Sequence, residues 1–255
     1  MKENKGLIIG IIIVVVVVFI GGFFGTKIFY LNKYNISRVT NEEYQEHKEK
    51  LQIKDSITIK TQKLQENDYI SFNDIKIKNE FEKFEILESS TDDHLKYVLK
   101  ENDKVIASFW FGATTESLVD ILSDDFTLYG WTQEHLSLNK EERIRFFEKY
   151  NIENDVDLIK FLSAYEYKEN NLFTRTNKMK ENYFVKFITS FLMSLGESVT
   201  LIDGDYEGYI LNMYENKEAY IIKNNKKYVF TFLKTDYFND EYIKELLNTV
   251  IIEDN

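Results

Sequence analysis

Residues Gly6 to Thr26 form an uncharged run of 21 residues, and this run constrains the chain more than any other feature. Fifteen of the 21 residues are Ile, Val, Leu or Phe, and Lys2, Lys5 and Lys27 flank the run. As a helix that rises about 1.5 Å per residue, it is about 30 Å long, which matches the hydrocarbon core of a bilayer. Insertion of its apolar residues is favourable by roughly 4 to 9 kcal/mol. The sequence therefore predicts a transmembrane helix over residues 6–26 that binds the lipid bilayer.

A cleaved signal peptide is the alternative interpretation, because the run is N-terminal and follows a lysine. Signal cleavage requires small residues at positions −3 and −1, and the pairs at 22/24, 23/25 and 24/26 each fail this requirement. We therefore predict a retained anchor in a protein that crosses the cell membrane once. The positive charges on the two sides of the run nearly cancel, so they do not decide its orientation. An N-terminal anchor with a large C-terminal domain most often leaves the N-terminus in the cytoplasm. Residues 1–5 are then a short cytoplasmic tail, and the C-terminal domain lies outside the cytoplasm.

Glycines recur four residues apart at both ends of the run, as Gly6 and Gly10 and as Gly21 and Gly25. This spacing lets two membrane helices approach closely, although glycine is common in membrane spans in any case. The pattern permits a weak dimer through Gly21 and Gly25.

The composition excludes several functional classes. The chain has no Cys, which excludes a disulfide scaffold, a Cys-ligated metal site and a thiol nucleophile. Its net charge is -11, and an acidic surface repels the phosphate backbone of nucleic acids, so we predict no nucleic-acid partner. Only four Ala and four Arg occur beside 28 Lys, 28 Ile and 22 Asn, a pattern typical of a low-GC bacterium.

Residues 27–66 read as a charged stalk or linker. Thr40 and Glu43 have the spacing of a capping box, and the charged stretch that follows to Lys50 predicts a short solvated helix. Residues 53–64 fit either a first strand or an extended linker. We therefore expect the soluble domain to occupy residues 67–255.

Hydrophobic periodicity within residues 67–255 predicts an α+β domain. Antiparallel strands are expected at 69–78, 84–89, 95–100 and 105–111, followed by a helical middle section with helices at 115–122, after Asn139, after Asn154 and at 178–195. A C-terminal β-meander follows at 199–202, 206–214, 219–223 and 228–233, and Asn239 caps a final helix. The strand groups could join or form two small sheets, and an internal boundary near residues 112–138 stays open.

Two elements carry predictions about burial. In the helix at 178–195, Tyr183, Phe187, Phe191 and Leu195 recur every four residues, which predicts that this face packs against the sheet. In the strand at 228–233 both faces are largely apolar, which predicts an interior strand that is covered on both sides.

The strongest resemblance to a site pattern is Asp203-Gly-Asp205-Tyr-Glu207-Gly, which is similar to the start of an EF-hand calcium loop. Position 12 of that loop requires Glu, and this chain has Tyr214 there, with a strand where a helix should follow. We interpret the segment as an Asp-Gly hairpin turn with solvated acids and predict no metal site.

The remaining residues contain no known catalytic motif. His47, His94 and His135 stand apart from one another, and no nucleophile elbow, phosphate-binding glycine loop or metalloprotease helix is present in the sequence. The aromatic residues 109–111, with Tyr129 and Trp131, fit either a ligand groove or core packing, and the second interpretation is favoured. We predict no catalytic, cofactor-binding or metal-ligating residues.

These observations favour a membrane-anchored, non-catalytic interaction or binding module whose acidic α+β domain meets an unknown protein partner outside the cytoplasm. The alternative is a membrane-tethered regulator or immunity-type protein that faces the cytoplasm. An enzyme of unfamiliar type is the third hypothesis, and it would require acids such as Asp203 and Asp205 to converge in a cleft.

Overall fold

The computed structural model describes residues 22–33, 40–51, 53, 56–87, 94–114, 117–124, 136–194, 196–224, 226–233 and 235–253. Residues 22–33 are helical (α1), and no helix within these described ranges is long and apolar enough to cross a membrane. Residues 6–21 of the predicted span lie outside the described residues, so the span stays a prediction. The described part of the chain is mixed α+β, with a large mixed sheet.

Strands from both halves of the chain join in one eight-stranded sheet. Its strands are Ser56–Ile59 (β1), Glu85–Ile86 (β4), His94–Glu101 (β5), Lys104–Thr114 (β6), Ser198–Gly204 (β7), Glu207–Asn212 (β8), Asn216–Lys223 (β9) and Lys226–Leu233 (β10). Their order across the sheet is β1-β7-β8-β9-β10-β6-β5-β4. A smaller sheet pairs Tyr69–Phe72 (β2), Ile75–Lys78 (β3) and Ile251–Ile252 (β11) in the order β11-β3-β2. The predicted strand at 69–78 is thus a hairpin of this second sheet.

Asparagine caps define the starts of three helices, as the sequence predicts. The described α-helices after α1 are Asn41–Lys50 (α2), Leu118–Ser123 (α3), Lys140–Tyr150 (α4), Asp155–Ala164 (α5), Thr176–Ser194 (α6) and Asp240–Leu247 (α7). Asn139, Asn154 and Asn239 each accept hydrogen bonds from backbone amides in the first turn of α4, α5 and α7. These bonds satisfy amide groups that a helix leaves without an internal partner.

The large sheet lies between two apolar layers. On one face, Phe109, Phe111 and Phe230 share a buried cluster with residues of the small sheet and of α7. On the other face, Tyr209 and Leu211 share a second cluster with apolar residues of α4, α5 and α6. The molecule therefore has three layers around a central sheet.

Strand β10 is interior, as its sequence predicts. It pairs with β9 on one side and β6 on the other. Phe230 and Phe232 are fully buried on one face, and Val229 and Thr231, which alternate with them, are buried as well. Both faces of the strand are thus covered, which explains its lack of a polar face.

Helix α2 and strand β1, which lie in the stretch that the sequence assigns to a solvated stalk, contribute to the folded unit instead. The capping box between Thr40 and Glu43 is present, but Tyr44 and Leu51 are fully buried, because α2 packs against α6. Strand β1 pairs in parallel with β7 and forms one edge of the large sheet. At this edge Gly204 has φ +103°, and a Cβ there would lie 2.1 Å from the Ile59 carbonyl oxygen. The folded unit therefore includes α2 and β1, because Tyr44 and Leu51 are buried and β1 completes one edge of the large sheet.

The buried residues of α6 extend around most of the helix, and the predicted stripe lies on its less buried face. Phe184, Val185 and Ile188 are buried, whereas Phe187 and the other described aromatic residues of the predicted stripe are half-buried. Leu195 lies outside the described residues. The predicted phase is therefore wrong, because α6 also packs against α2 and buries a face wider than the aromatic stripe.

Asp74, in the turn between β2 and β3, is a buried carboxylate that ties the two sheets together. It accepts hydrogen bonds from the Tyr228 hydroxyl at 2.7 Å and from Lys226 Nζ at 3.2 Å. Burial raises the pKa of Asp74, but the bonds from Tyr228 and Lys226 outweigh this effect, and the net pKa is lowered. The charged form of Asp74 therefore stabilises the folded state.

The corrected phase of α6 predicts unequal effects for two phenylalanines on this helix. Phe184→Ala should lower the free energy of unfolding by roughly 3 to 5 kcal/mol, because it leaves a cavity in the core. Phe187→Ala should cost less than half as much, since Phe187 is only half-buried. Urea unfolding of the detergent-solubilised full-length chain measures both values, and equal losses would contradict the corrected phase.

The lowered pKa of Asp74 predicts an acid-dependent loss of stability. Its contribution is complete above the ordinary aspartate pKa of about 4 and disappears as the pH falls through the lower pKa of the folded state. Asp74→Asn should therefore lower the free energy of unfolding by roughly 1 to 3 kcal/mol at neutral pH and should have less effect in acid. Asp103→Asn, at an exposed hairpin turn, is the matched control. A pH-independent effect of Asp74→Asn would show that its charge is not what stabilises the fold.

Candidate functional site

Helix α4 and the first turns of α6 enclose a groove made of two adjoining cavities of about 340 and 630 Å³. Lys149, Asn177 and Glu181 line both cavities, so the groove is continuous. Its other lining residues are Leu138, Glu142, Arg145, Phe146, Arg175, Thr176, Lys178 and Lys180. We call this feature the basic groove.

The sequence builds one wall of the groove through helical spacing. Glu142, Arg145 and Lys149 lie three and four residues apart, so they share one face of α4. Phe146 anchors this helix, because its buried ring packs edge-on against Phe184 of α6 with 5.1 Å between the ring centroids. The charged residues of α4 are thus held next to the start of α6.

The groove is positively charged in an acidic protein. Five basic and two acidic side chains line it, whereas the chain as a whole has a net charge of -11. A concave surface with an excess of one sign of charge concentrates ions of the opposite sign. The groove is therefore the described cavity system best suited to an anionic ligand.

Glu181 holds two of the lysines in place. Its carboxylate lies 2.8 Å from Lys149 Nζ and 3.8 Å from Lys178 Nζ, and it accepts a hydrogen bond from the Tyr150 hydroxyl at 3.1 Å. Partial burial lowers the pKa of Lys149, but Glu181 and Tyr150 outweigh it and the net pKa is raised. Lys149 therefore stays protonated throughout the physiological pH range.

Glu142 holds the other lysine of the groove. Lys180 Nζ lies 2.6 Å from its carboxylate, which also accepts a hydrogen bond at 2.9 Å from the Asn139 backbone amide. Burial raises the pKa of Glu142, and these two bonds lower it further than burial raises it. Glu142 is thus ionised and positions Lys180.

A chain of hydrogen bonds connects the groove to the protein interior. Lys178 Nζ donates to the Tyr165 hydroxyl at 2.7 Å, and that hydroxyl donates to Asn182 Oδ1 at 2.6 Å. Asn182 in turn donates to Asn170 Oδ1 at 2.8 Å. Burial raises the pKa of Tyr165, so its hydroxyl stays protonated as the donor that this chain requires. The position of Lys178 is thus determined by buried residues.

Arg145 and Arg175 differ from the lysines of the groove. Both side chains are exposed, and neither forms an ion pair or side-chain hydrogen bond with another residue of the described part of the chain. A guanidinium group presents donors in a planar fork that matches a carboxylate or a phosphate. The groove thus combines fixed lysines with two arginines whose donors face solvent.

A second polar cluster lies under α5 and beside a cavity of about 300 Å³ that Lys227 lines. Asp155 is buried and lies 3.1 Å from Lys227 Nζ, and it accepts hydrogen bonds from the Val119 amide at 3.1 Å and from the Tyr209 hydroxyl at 3.3 Å. Burial raises the pKa of Tyr209, and Asp155 raises it further. Ser117, which also lines this cavity, accepts the capping bond of α3 from the Asp120 amide. These groups join α3, α5 and the sheet.

The acids of the calcium-like segment do not face one another as metal ligands do. Asp203 accepts a hydrogen bond from the Ser56 hydroxyl at 3.0 Å, and Asp205 accepts one from the Thr61 amide at 2.6 Å. Glu207 pairs with Lys160 of α5 at 2.7 Å. The bonds from Thr58 and Ser56 lower the pKa of Asp203. Among the described residues, no group of three or more potential metal ligands is close enough to hold an ion.

The other residues singled out in the sequence are dispersed. His47 lies on α2 and His94 begins β5, while His135 lies outside the described residues. Phe109 and Phe111 are fully buried, which confirms core packing for these two rings. Trp110 lies on the opposite face, with Lys96 Nζ at 5.1 Å from its ring, and Tyr129 and Trp131 lie outside the described residues.

Comparisons with known proteins found no family model that matches the chain, and no curated protein or solved structure that matches it. The site is therefore interpreted from its geometry alone.

The buried position of the Asp155–Lys227 pair predicts that it is structural. Lys227→Met should destabilise the protein by about 3 to 5 kcal/mol, because it leaves the Asp155 carboxylate buried without its cation. The double variant Asp155→Asn/Lys227→Met should recover part of this loss, since the neutral amide side chain keeps an oxygen for the Val119 amide. Urea unfolding of the single and double variants gives the coupling energy. A Lys227→Met protein as stable as the wild type would instead indicate that Lys227 is available for a ligand.

Proposed function

We propose that the protein is a single-pass, membrane-anchored binding module without catalytic activity. Residues 6–26 hold it in the cell membrane, and its acidic domain lies outside the cytoplasm. The observation that carries the proposal is the character of α1, which continues the uncharged run into the described part of the chain. Phe23 and Phe24, the last two aromatic residues of the uncharged run, are 54% and 38% exposed on this helix. Such apolar side chains are removed from water when the helix enters a bilayer.

The contact between α1 and the folded unit supports the same proposal. Lys27 is the first charged residue after the run, and its Nζ donates to the Thr174 carbonyl oxygen at 2.5 Å. The domain therefore sits directly at the end of the proposed span rather than at the end of a long stalk. Such a module would act close to the membrane surface.

Binding rather than catalysis is supported by the organisation of the basic groove. Its lysines are held by Glu142, Glu181 and Tyr165, and its two arginines are exposed. This arrangement offers charge and hydrogen-bond donors to an anion. The proposal includes a weak dimer through Gly21 and Gly25. The helix surface at Gly25 is open to a second helix, since no other part of the described chain lies within 4 Å of a Cβ built there.

The absence of Cys from the chain makes the membrane topology directly testable. Tyr214→Cys places one thiol on an exposed position of the domain, and Asn4→Cys places one thiol before the span. A membrane-impermeant maleimide should label Tyr214→Cys in intact cells and Asn4→Cys only after lysis. Both proteins should stay with the membranes after alkaline carbonate extraction.

The reverse labelling pattern would place the domain in the cytoplasm and favour the membrane-tethered regulator. Release of the intact chain by carbonate, or a mature N-terminus after residue 20, would refute the anchor itself.

A further inference from the structure

We infer that the basic groove and the neighbouring Phe173 bind the anionic phospholipid headgroups of the bilayer that anchors the chain. This inference rests on the proposed function, because it takes residues 6–26 as the membrane span. The ligand chemistry is a phosphodiester that carries a negative charge, with the acyl chains beside it.

Phe173 is presented to solvent by a well-bonded turn. Its side chain is 86% exposed, the largest exposure among the exposed large apolar residues of the described part of the chain. The Phe173 amide donates to Asn171 Oδ1 at 2.9 Å, and the Asn171 amide donates to Thr174 Oγ1 at 2.9 Å. The Thr174 amide closes the turn with a 3.0 Å bond to the Asn171 carbonyl. The aromatic ring is therefore held outward by the backbone.

The same turn is fixed next to the end of the proposed span. Lys27 donates to the carbonyl oxygen of Thr174, the residue after Phe173. One lysine side chain thus separates the turn from the helix that leaves the membrane. Aromatic residues at this level of a membrane protein sit in the headgroup region, with the ring toward the acyl chains.

The groove begins where this turn ends. Arg175 follows Thr174 directly, and Arg175 and Lys178 line the larger cavity. Basic residues beside a membrane are attracted to anionic lipids. Phe173 supplies an exposed apolar ring, and Arg145 and Arg175 line the two cavities of the groove without an ion pair among the described residues. The ring and the guanidinium groups match the two parts of a phospholipid, whereas a soluble anion would use only the guanidinium groups. Phospholipid is therefore the occupant that accounts for both features.

The test uses the full-length chain in nanodiscs of phosphatidylcholine, with or without phosphatidylglycerol. Leu172→Cys carries a fluorophore beside an intact Phe173, and a nitroxide on the lipid headgroup quenches it on contact. We expect strong quenching in nanodiscs that contain phosphatidylglycerol, weaker quenching in phosphatidylcholine alone, and loss of the difference in molar salt, where the screening length is about 3 Å.

Variants assign the effect to named residues. Arg145→Gln/Arg175→Gln should reduce the ratio of docked to undocked domain by about thirtyfold, from the attraction of two charges near an anionic surface. Arg145→Lys/Arg175→Lys should keep most of the quenching. Phe173→Ser should weaken it in both kinds of nanodisc. Lys83→Gln/Lys104→Gln removes the same charge from exposed positions outside the groove and should have little effect.

Several results would overturn the inference. A chain that stays in the nanodisc but shows no headgroup quenching, or equal quenching in all variants, refutes lipid binding and leaves the anchor intact. Binding of soluble glycerol phosphate that requires both arginines, without headgroup quenching, assigns the groove to a soluble anion instead. A chain that does not remain in the nanodisc refutes the anchor and therefore the proposed function.

Discussion

The antiparallel pairing of β6 with β10 is the interaction on which the rest of the structure depends. It joins the strand group before the helices to the strand group after them, and in its register Phe111 lies opposite Phe230 and Phe109 lies opposite Phe232. The rings of Phe109 and Phe232 are 5.0 Å apart, so the ladder of hydrogen bonds and the aromatic core are formed by the same residues. Because these strands are far apart in the chain, this pairing is a contact of large sequence separation. Helices α4, α5 and α6 pack on one face of the sheet that it completes, and the basic groove lies between α4 and α6.

The contact between α2 and α6 contains buried polar groups as well as apolar side chains. Lys186 of α6 is buried and donates to Asn41 Oδ1 at 2.7 Å, and burial lowers the pKa of Lys186 despite the acids nearby. Tyr44 Oη and Thr189 Oγ1 are buried without a hydrogen-bond partner among the described residues. Buried polar groups cost free energy unless they are paired. The contact between α2 and α6 is therefore less stable than its buried area alone indicates, and the apolar burial of Tyr44 and Leu51 is what offsets that cost.

Much of the fold could be predicted from local patterns, and the candidate site could not. The two apolar faces of β10 and the asparagine caps are each signals within one element, so the local sequence was enough to identify them. The phase of α6 was missed because its burial depends on α2, a partner that local spacing does not specify. The groove was missed because Lys and Glu at helical spacing are typical of a solvated helix face. A usable signal was the scarcity of arginine, since Arg143, Arg145 and Arg175 are three of only four in a chain that otherwise uses lysine. Arg143 is the structural member of this set, donating at 2.8 Å to the Leu138 carbonyl.

In the proposed membrane-anchored arrangement, the distribution of charge favours one orientation of the domain at an anionic surface. A net charge of -11 repels such a surface at long range, but at physiological ionic strength the interaction decays over about 8 Å. Only groups close to the membrane then matter, and in the proposed arrangement the basic groove is among them, because Lys27 at the end of the proposed span donates to Thr174 beside the groove. Glu142 and Glu181 hold the lysines in position and reduce the excess positive charge, which limits the strength of any contact. An anchored domain does not need a strong contact, because its tether already keeps the groove at high local concentration near the lipid. In this proposal, a weak, salt-sensitive contact is therefore sufficient to orient the domain with its basic groove toward the lipid.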